Sequence, residues 1–238
     1  MCTVTYLPVG SNQFILTSNR DEKSVRKSAL PPRKFVIGAQ SVYYPKDQEA
    51  GGTWIATSGS DFTLCLLNGA VNKHEHLPPY KISRGLMLLE FFKYNNAEEF
   101  ASLYSFKGIE PFTLIILESR NVIHVYELIW DGENVTIKLK DAAQPLIWSS
   151  VTLYDKEIIN DRRMWFNQWL EQDEEHNLEK VMRFHEFGGN GNIYNDLKMN
   201  RDGHVLTVSI TSIEKSDSGT FMKYKDIVTD KMYSLRII

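Results

Sequence analysis

Cys2, the second residue of the chain, has the chemistry of a nucleophile. An initiator methionine ahead of so small a residue is normally removed. Removal would leave the Cys2 thiol, with an ordinary pKa of about 8.5, beside a free α-amine of pKa about 7.7–8.0. At neutral pH such an amine can take the thiol proton and return it to a leaving amine, as in N-terminal nucleophiles, whereas a retained Met1 would block it. The alternative interpretation is a small apolar residue that starts a strand.

The segment Asn19–Glu22, with the sequence NRDE, places a cation between acidic and amide side chains. A predicted hairpin joins a strand at residues 2–7 to a strand at residues 13–21, so this segment is expected at the level of Cys2. Arg20 would then lower the pKa of the thiol, and Asp21 would orient the α-ammonium group. The alternative is a polar turn with a surface ion pair worth about 0–1 kcal/mol.

Gly51 and Gly52 precede Trp54 in a GGTW segment. Two glycines permit a positive φ or a close approach of backbone, and a tryptophan after them can form the wall of a pocket. A turn that enters a strand, with Trp54 in the core, is the alternative interpretation.

The segment His74–His76 carries two imidazoles two residues apart. Two imidazoles could contact a metal ion, but no third ligand is evident from the spacing, so a solvated loop is the preferred interpretation. We therefore expect no metal site.

Strands and helices must bring these side chains together. Apart from the hairpin, strands are expected near residues 34–39, 53–57, 62–67, 111–140 and 204–213 and at the C-terminus, those of 111–140 forming a second sheet. Helices are expected after Ser83, which could cap the first of them, and near residues 97–104, 155–172 and 178–187. This order lacks regular βαβ alternation and favours two packed sheets with helices on their outer faces.

Composition excludes several classes of protein. The 238 residues include 27 Lys and Arg against 30 Asp and Glu, so no affinity for nucleic acid is expected, and 42% hydrophobic residues support a packed core. Two cysteines cannot form a disulfide framework, and the N-terminus lacks the features of a secretory signal. We expect a single domain over residues 1–238, no membrane span and a cytoplasmic location.

Several motifs in order resemble one family. MCTVTYL, LTSNRDE, EAGGTWIA, LLNGAV and LTVSIT are similar to the NRDE family, also called the transport-and-Golgi-organisation-2-like family. The resemblance extends from residue 2 to about residue 211. It implies an α+β fold of the N-terminal-nucleophile hydrolase type, a four-layer αββα sandwich of two antiparallel sheets flanked by helices.

The chain is also similar, more distantly, to cysteine amidohydrolases that act on bile salts and penicillin V. That resemblance implies that Cys2 is the nucleophile, that Asp21 is the carboxylate near the amine, and that Asn68 contributes to the oxyanion site. A second oxyanion asparagine of those enzymes would fall near Ser149–Ser150. Two of their arginines are absent, since Ser18 and Phe221 stand in their places.

We therefore predict an N-terminal-cysteine hydrolase that cleaves a linear carbon–nitrogen amide bond. Its substrate-binding residues would be Asn19, Gly52, Trp54, Ser149 and Ser150. We expect a small-molecule substrate and no cofactor, and the sequence is compatible with a homo-oligomer. The alternative is a non-catalytic carrier of haem or an acyl lipid, in which Cys2, a histidine or a methionine would bind haem.

Overall fold

A computed structural model of the chain describes residues 3–172 and 175–237. The predicted nucleophile Cys2 lies outside these ranges. Within them the chain forms 14 strands in two antiparallel sheets. In chain order the strands are β1 (Thr3–Gly10), β2 (Gln13–Lys23), β3 (Leu30–Ile37), β4 (Gln40–Lys46), β5 (Ile55–Thr57), β6 (Phe62–Asn68), β7 (Phe112–Glu118), β8 (His124–Trp130), β9 (Val135–Lys140), β10 (Leu146–Ser149), β11 (Asn200–Arg201), β12 (Val205–Ser216), β13 (Gly219–Asp226) and β14 (Lys231–Arg236).

The first sheet has the strand order β10-β1-β2-β12-β13-β14, with β11 paired to β12. Its centre is the predicted hairpin, in which Thr3 pairs with Asn19 and Tyr6 with Leu16. The second sheet runs β3-β4-β5-β6-β7-β8-β9, so each of its strands neighbours the next one in the sequence.

The described ranges contain four α-helices and one short 3-10 helix, Phe91–Lys93. The α-helices are α1 (Arg84–Glu90), α2 (Ala97–Leu103), α3 (Lys156–Gln172) and α4 (Leu178–Phe187). Ser83 caps α1 as predicted, because its side chain accepts a hydrogen bond from the backbone N–H of Leu86. None of these helices combines the length and apolar character that a membrane crossing requires.

Apolar side chains divide the molecule into layers. One large cluster contains Leu16 of the first sheet, Leu64 of the second, and Phe91 beside α1. A smaller cluster packs Ile15 of the first sheet against Phe166 of α3, on the opposite face of that sheet. Because Ile15 and Leu16 are consecutive in β2, they point to opposite faces. The resulting order of helices, sheet, sheet and helices confirms the predicted α+β sandwich.

The division of strands between the sheets differs from the prediction. Residues 111–140 do not form a sheet of their own, since β6 pairs with β7 and thereby joins them to β3–β6. The hairpin of β1 and β2 instead joins C-terminal strands through the pairing of β2 with β12. Such pairing depends on contacts between residues almost 200 positions apart, which local periodicity does not contain.

Candidate functional site

Arg20 and Asp21 are neighbours in β2 and point to opposite faces of the first sheet. Arg20 contacts Asp47 and Trp54, which belong to the connections of the second sheet. Asp21 contacts Tyr154 and Thr207 on the side of the helices α3 and α4. Since side chains alternate along a strand, the NRDE motif supplies two separate groups of contacts.

Arg20 is held between a carboxylate and an aromatic ring, and it is only 2% exposed. Its Nη2 lies 2.5 Å from Oδ2 of Asp47 and 3.5 Å from the carboxylate of Glu22. Its guanidinium carbon lies 4.7 Å from the centre of the Trp54 ring. Arg26 also binds Asp47, with its Nε 2.9 Å from the same Oδ2. Asp47 was not a candidate from the sequence, since no motif includes it.

Burial alone would raise the pKa of the Asp47 carboxyl group. The hydrogen bonds from Arg26 and from the Ala50 N–H, together with the charge of Arg20, outweigh burial and hold this pKa below its ordinary value. Asp47 is therefore a carboxylate at neutral pH, and it fixes the orientation of Arg20.

The GGTW segment forms a tight turn against α1. Gly51 has a φ of +72°. A Cβ on Gly52 would lie 2.3 Å from the carbonyl carbon of Gly85 in α1, so this position requires glycine. Both properties expected of the two glycines therefore occur. Trp54 is buried, as its alternative interpretation requires, and it also lines the cavity described next.

A cavity of about 520 Å³ opens beside these residues. Of the predicted catalytic and substrate-binding residues, it brings together Arg20, Gly52, Trp54 and Asn68. Asn19, Asp21, Ser149 and Ser150 do not line it. The cavity is thus a polar pocket at the meeting point of β2, the GGTW turn and the end of β6.

Asp21 is fixed by two hydroxyl groups on the other face of the first sheet. The Tyr154 hydroxyl donates to its Oδ2 at 2.7 Å, and the Thr207 hydroxyl donates to its Oδ1 at 2.5 Å. The Tyr154 ring in turn lies 3.7 Å from the guanidinium carbon of Arg162, which is fully buried. Tyr154 and Thr207 are 133 and 186 residues from Asp21. The LTVSIT motif contains Thr207, but nothing in the sequence places Thr207 or Tyr154 beside Asp21.

Asn19 belongs to a buried network with His185 of α4. The amide of Asn19 donates to the carbonyl groups of His185 and Leu197. Its Oδ1 therefore accepts from Nδ1 of His185, while Nε2 of His185 accepts from the Thr5 hydroxyl at 2.7 Å. Burial and the nearby charge of Arg162 lower the pKa of His185 to about 3, so its ring is neutral at physiological pH.

The start of β1 is surrounded by predicted site residues. Thr3 pairs with Asn19 of β2 on one side and with Ser149 of β10 on the other. Ser150 follows Ser149, and its hydroxyl donates to the Asn68 carbonyl at 2.7 Å. Three distant segments of the sequence therefore meet where β1 begins.

Two other candidates from the sequence are the Cys65 thiol and the imidazoles of His74 and His76, of which His76 lines the cavity. Burial raises the pKa of the Cys65 thiol to about 12, so Cys65 is not a thiolate at neutral pH. His74 and His76 both contact one oxygen of Glu110, at 3.2 and 3.0 Å, and Arg84 contacts the other. In the part of the chain that the structure describes, no three His, Cys, Asp or Glu side chains are arranged to hold a metal ion.

Solved structures with the same fold include proteins named as a hydrolase, an amidase and an acylase. A C2A mutant of the conjugated bile acid hydrolase from Clostridium perfringens has a TM-score of 0.64 at 11% identity, covering 100% of this chain and 92% of that chain. The Caenorhabditis elegans ortholog of N-acylethanolamine-hydrolyzing acid amidase has a TM-score of 0.60 at 12% identity, covering 89% and 92%. Penicillin V acylase from Agrobacterium tumefaciens has a TM-score of 0.58 at 10% identity, covering 99% and 86%. These similarities show the N-terminal-nucleophile hydrolase-like fold.

A comparison with curated protein sequences finds no significant match. The family described as Transport and Golgi organisation 2 matches residues 1–226, which is nearly the whole chain and includes every candidate site residue. The order of the MC, NRDE and GGTW motifs predicts the same family. The chain belongs to the Transport and Golgi organisation 2 family.

Proposed function

We propose that this protein is an N-terminal-cysteine hydrolase that cleaves a linear carbon–nitrogen amide bond of a small molecule. The observation that carries the proposal is the convergence at Thr3, the residue that follows Cys2 in the sequence. Thr3 lies between Asn19 and Ser149. Arg20 follows Asn19 in β2, and Ser150 is the first residue after β10. A nucleophile at position 2 would therefore have the polar cavity and the Asn68 segment within reach.

The proposed roles follow from these positions. Cys2 attacks the amide carbonyl, and its α-amine, once Met1 is removed, takes the thiol proton and returns it to the leaving amine as the carbon–nitrogen bond breaks. The resulting thioester at Cys2 is then hydrolysed by water, which releases the acid and restores the thiol. Arg20 favours the thiolate and faces the substrate from the cavity wall. Asn68, with backbone N–H groups, stabilises the oxyanion.

The remaining residues position these groups. Asp21 is a buried carboxylate whose two oxygens each accept a hydroxyl hydrogen bond, and it orients the α-ammonium group. Asn19 connects β2 to α4. Gly52 and Trp54 shape the cavity wall, and Ser149 and Ser150 hold β10 against β1 and the Asn68 segment.

The structural neighbours support this proposal at the level of reaction class. Their names are those of an amidase, a bile acid hydrolase and an acylase. The bile acid hydrolase structure is that of a C2A mutant, so that protein also has a cysteine at its second position. Its position matches the one at which this chain carries Cys2.

The test compares three forms of the purified protein after intact-mass analysis has established the loss of Met1. The native form, a Cys2→Ser variant and a form with an N-terminal extension are assayed with N-acyl amino acids, acyl homoserine lactones and penicillin V. General-base assistance contributes roughly 10² to 10⁴ in rate, so we expect the extended form to lose activity by that order. The Cys2→Ser variant keeps the α-amine, but its hydroxyl group ionises poorly at neutral pH. This variant should therefore lose most of the activity.

A Cys65→Ser variant is the matched control, because its thiol is buried and protonated, and it should retain native activity. Full activity in the extended form would exclude the N-terminal-nucleophile mechanism. Absence of activity in every form lacking Met1 would instead favour a carrier of haem or an acyl lipid.

A further inference from the structure

Arg20 has hydrogen-bonding capacity that its contacts with the described residues do not use. Its Nη2 bonds to Asp47, and Trp54 lies against its guanidinium group. Within residues 3–172 and 175–237, no acceptor is bonded to its Nε or Nη1. A guanidinium that is 2% exposed and lines a cavity with N–H groups to spare is suited to a ligand oxygen, because buried charged donors are costly to leave unbonded.

The charges around the cavity select the kind of ligand. Among the described residues its wall carries four cationic side chains (Arg20, Lys23, Arg26 and Arg84) and three acidic ones (Glu22, Asp47 and Glu110). The excess is one positive charge, apart from His76. Such a wall favours a ligand with a single negative charge, whereas the three carboxylates disfavour a doubly charged group such as a phosphate monoester.

The fixed orientation of Arg20 makes the site specific for a planar oxygen pair. Asp47 binds only one end of the guanidinium, and its own Oδ1 is anchored by the backbone N–H groups of Glu49 and Ala50. Nη2 carries two N–H groups, and Asp47 accepts from one of them. The other N–H of Nη2, together with an N–H of Nε or Nη1, forms an edge that matches the two oxygens of a carboxylate and can bind them with two parallel hydrogen bonds.

We propose that Arg20 binds a carboxylate of the substrate, so that the substrate class is an N-acyl amino acid. This inference rests on the proposed function, since the amide bond must lie next to that carboxylate for Cys2 to reach it. Arg20 would bind the amino acid part of the substrate, and after hydrolysis the carboxylate would leave as part of the amine product.

The experiment measures binding apart from catalysis, in a Cys2→Ala variant that leaves the probe intact. N-acetylglycine and N-acetylglycinamide, which differ in one charge, are titrated into the full chain by calorimetry. We expect N-acetylglycine to bind at least tenfold more tightly. Arg20→Gln should abolish this difference, whereas Arg120→Gln, which changes an exposed arginine paired with Asp61, should preserve it.

Arg20→Lys serves as the second variant if Arg20→Gln does not fold, because it retains a cation for Asp47. It should weaken the binding of N-acetylglycine and leave that of N-acetylglycinamide unchanged. Equal affinity for the two probes, no binding of N-acetylglycine, or full affinity in a folded Arg20 variant would overturn the carboxylate site.

The two proposals fail in different ways. If N-acetylglycine binds through Arg20 but the native protein hydrolyses no amide, the hydrolase proposal is contradicted and the carboxylate site is supported. If the native protein hydrolyses neutral and acidic N-acyl compounds equally well, the hydrolase proposal is supported and the carboxylate site is contradicted.

Discussion

Two consecutive residues of β2 divide the chemistry of the site between the faces of one sheet. Arg20 contributes a cation to the cavity, and Asp21 contributes a carboxylate to a network behind it. If both pointed to one face, they would neutralise each other as an ion pair. Their separation lets Arg20 keep N–H groups for a ligand, while the hydroxyl groups of Tyr154 and Thr207 satisfy Asp21.

Replacement of Asp47 by Asn tests whether this carboxylate supports Arg20. Asp47→Asn removes the charge that compensates Arg20 and Arg26, and we expect a loss of about 3 kcal/mol in the free energy of unfolding, measured with urea. Asp61→Asn is the control, because the Asp61–Arg120 pair is exposed and should be worth about 0–1 kcal/mol. Equal losses in the two variants would show that Asp47 is not a special partner of Arg20.

At the scale of elements, the GGTW turn and α1 fit together only through their glycines. A Cβ on Gly52 would lie within 2.6 Å of three backbone atoms of Gly85 and Leu86, and backbone cannot rotate away as a side chain can. The turn therefore sets the distance between β4–β5 and α1. Trp54, which follows the turn, and Arg84, which begins α1, both line the cavity.

Gly52→Ala should separate the turn from α1. We expect a loss of about 1–3 kcal/mol or more in the free energy of unfolding, measured with urea, because the added methyl group overlaps backbone. Gly51→Ala is the matched control. Its φ of +72° is strained for alanine at a cost of about 1–2 kcal/mol, but nothing lies within 4 Å of the new Cβ. Only Gly52→Ala should also weaken N-acetylglycine binding, and an equal effect of both variants would contradict this account.

Local sequence patterns predict the helices and strands whose apolar residues recur with a clear period or whose ends carry a capping or turn residue. The hairpin, the Ser83 cap and the helix α4 (Leu178–Phe187) lie where the sequence predicts them. The sequence does not predict β4, because QSVYYPK has no strict alternation, and it does not predict β13. Of the site, the NRDE and GGTW residues could be found as motifs. Asp47 and Tyr154 could not, because only the sheet pairing brings them to β2.

Across the whole molecule, the first sheet and the helices α3 and α4 meet through a layer of buried polar groups. Arg162 and His185, both fully buried, project from the helices toward Thr3 and Thr5 of β1. The contacts of His185 suit the neutral ring that its lowered pKa gives, in which Nδ1 donates to Asn19 and Nε2 accepts from Thr5. Protonation would place a second cation near Arg162 in a region that excludes water.

The stability of the molecule should therefore depend on pH through His185. Its pKa is about 3 in the folded protein and about 6.5 in the unfolded chain. Between these values the unfolded chain binds the proton and the folded protein does not. Stability is therefore complete above pH 6.5 and falls as pH decreases toward 3, at up to about 1.4 kcal/mol per pH unit.

Urea unfolding at pH 7 and at pH 5 measures this loss without interference from Asp47 and Glu110. The pKa values of these carboxyl groups are lowered in the fold, so their stabilisation is lost only at pH values below about 4.5. We expect His185→Gln to remove most of the difference between the two pH values, and His124→Gln, at an exposed position, to keep it. Two results would contradict a neutral His185. One is an NMR spectrum of the histidine imidazoles in the folded protein that shows a protonated His185 at pH 5. The other is a folded His185→Gln variant whose free energy of unfolding differs between pH 7 and pH 5 as much as that of the native protein.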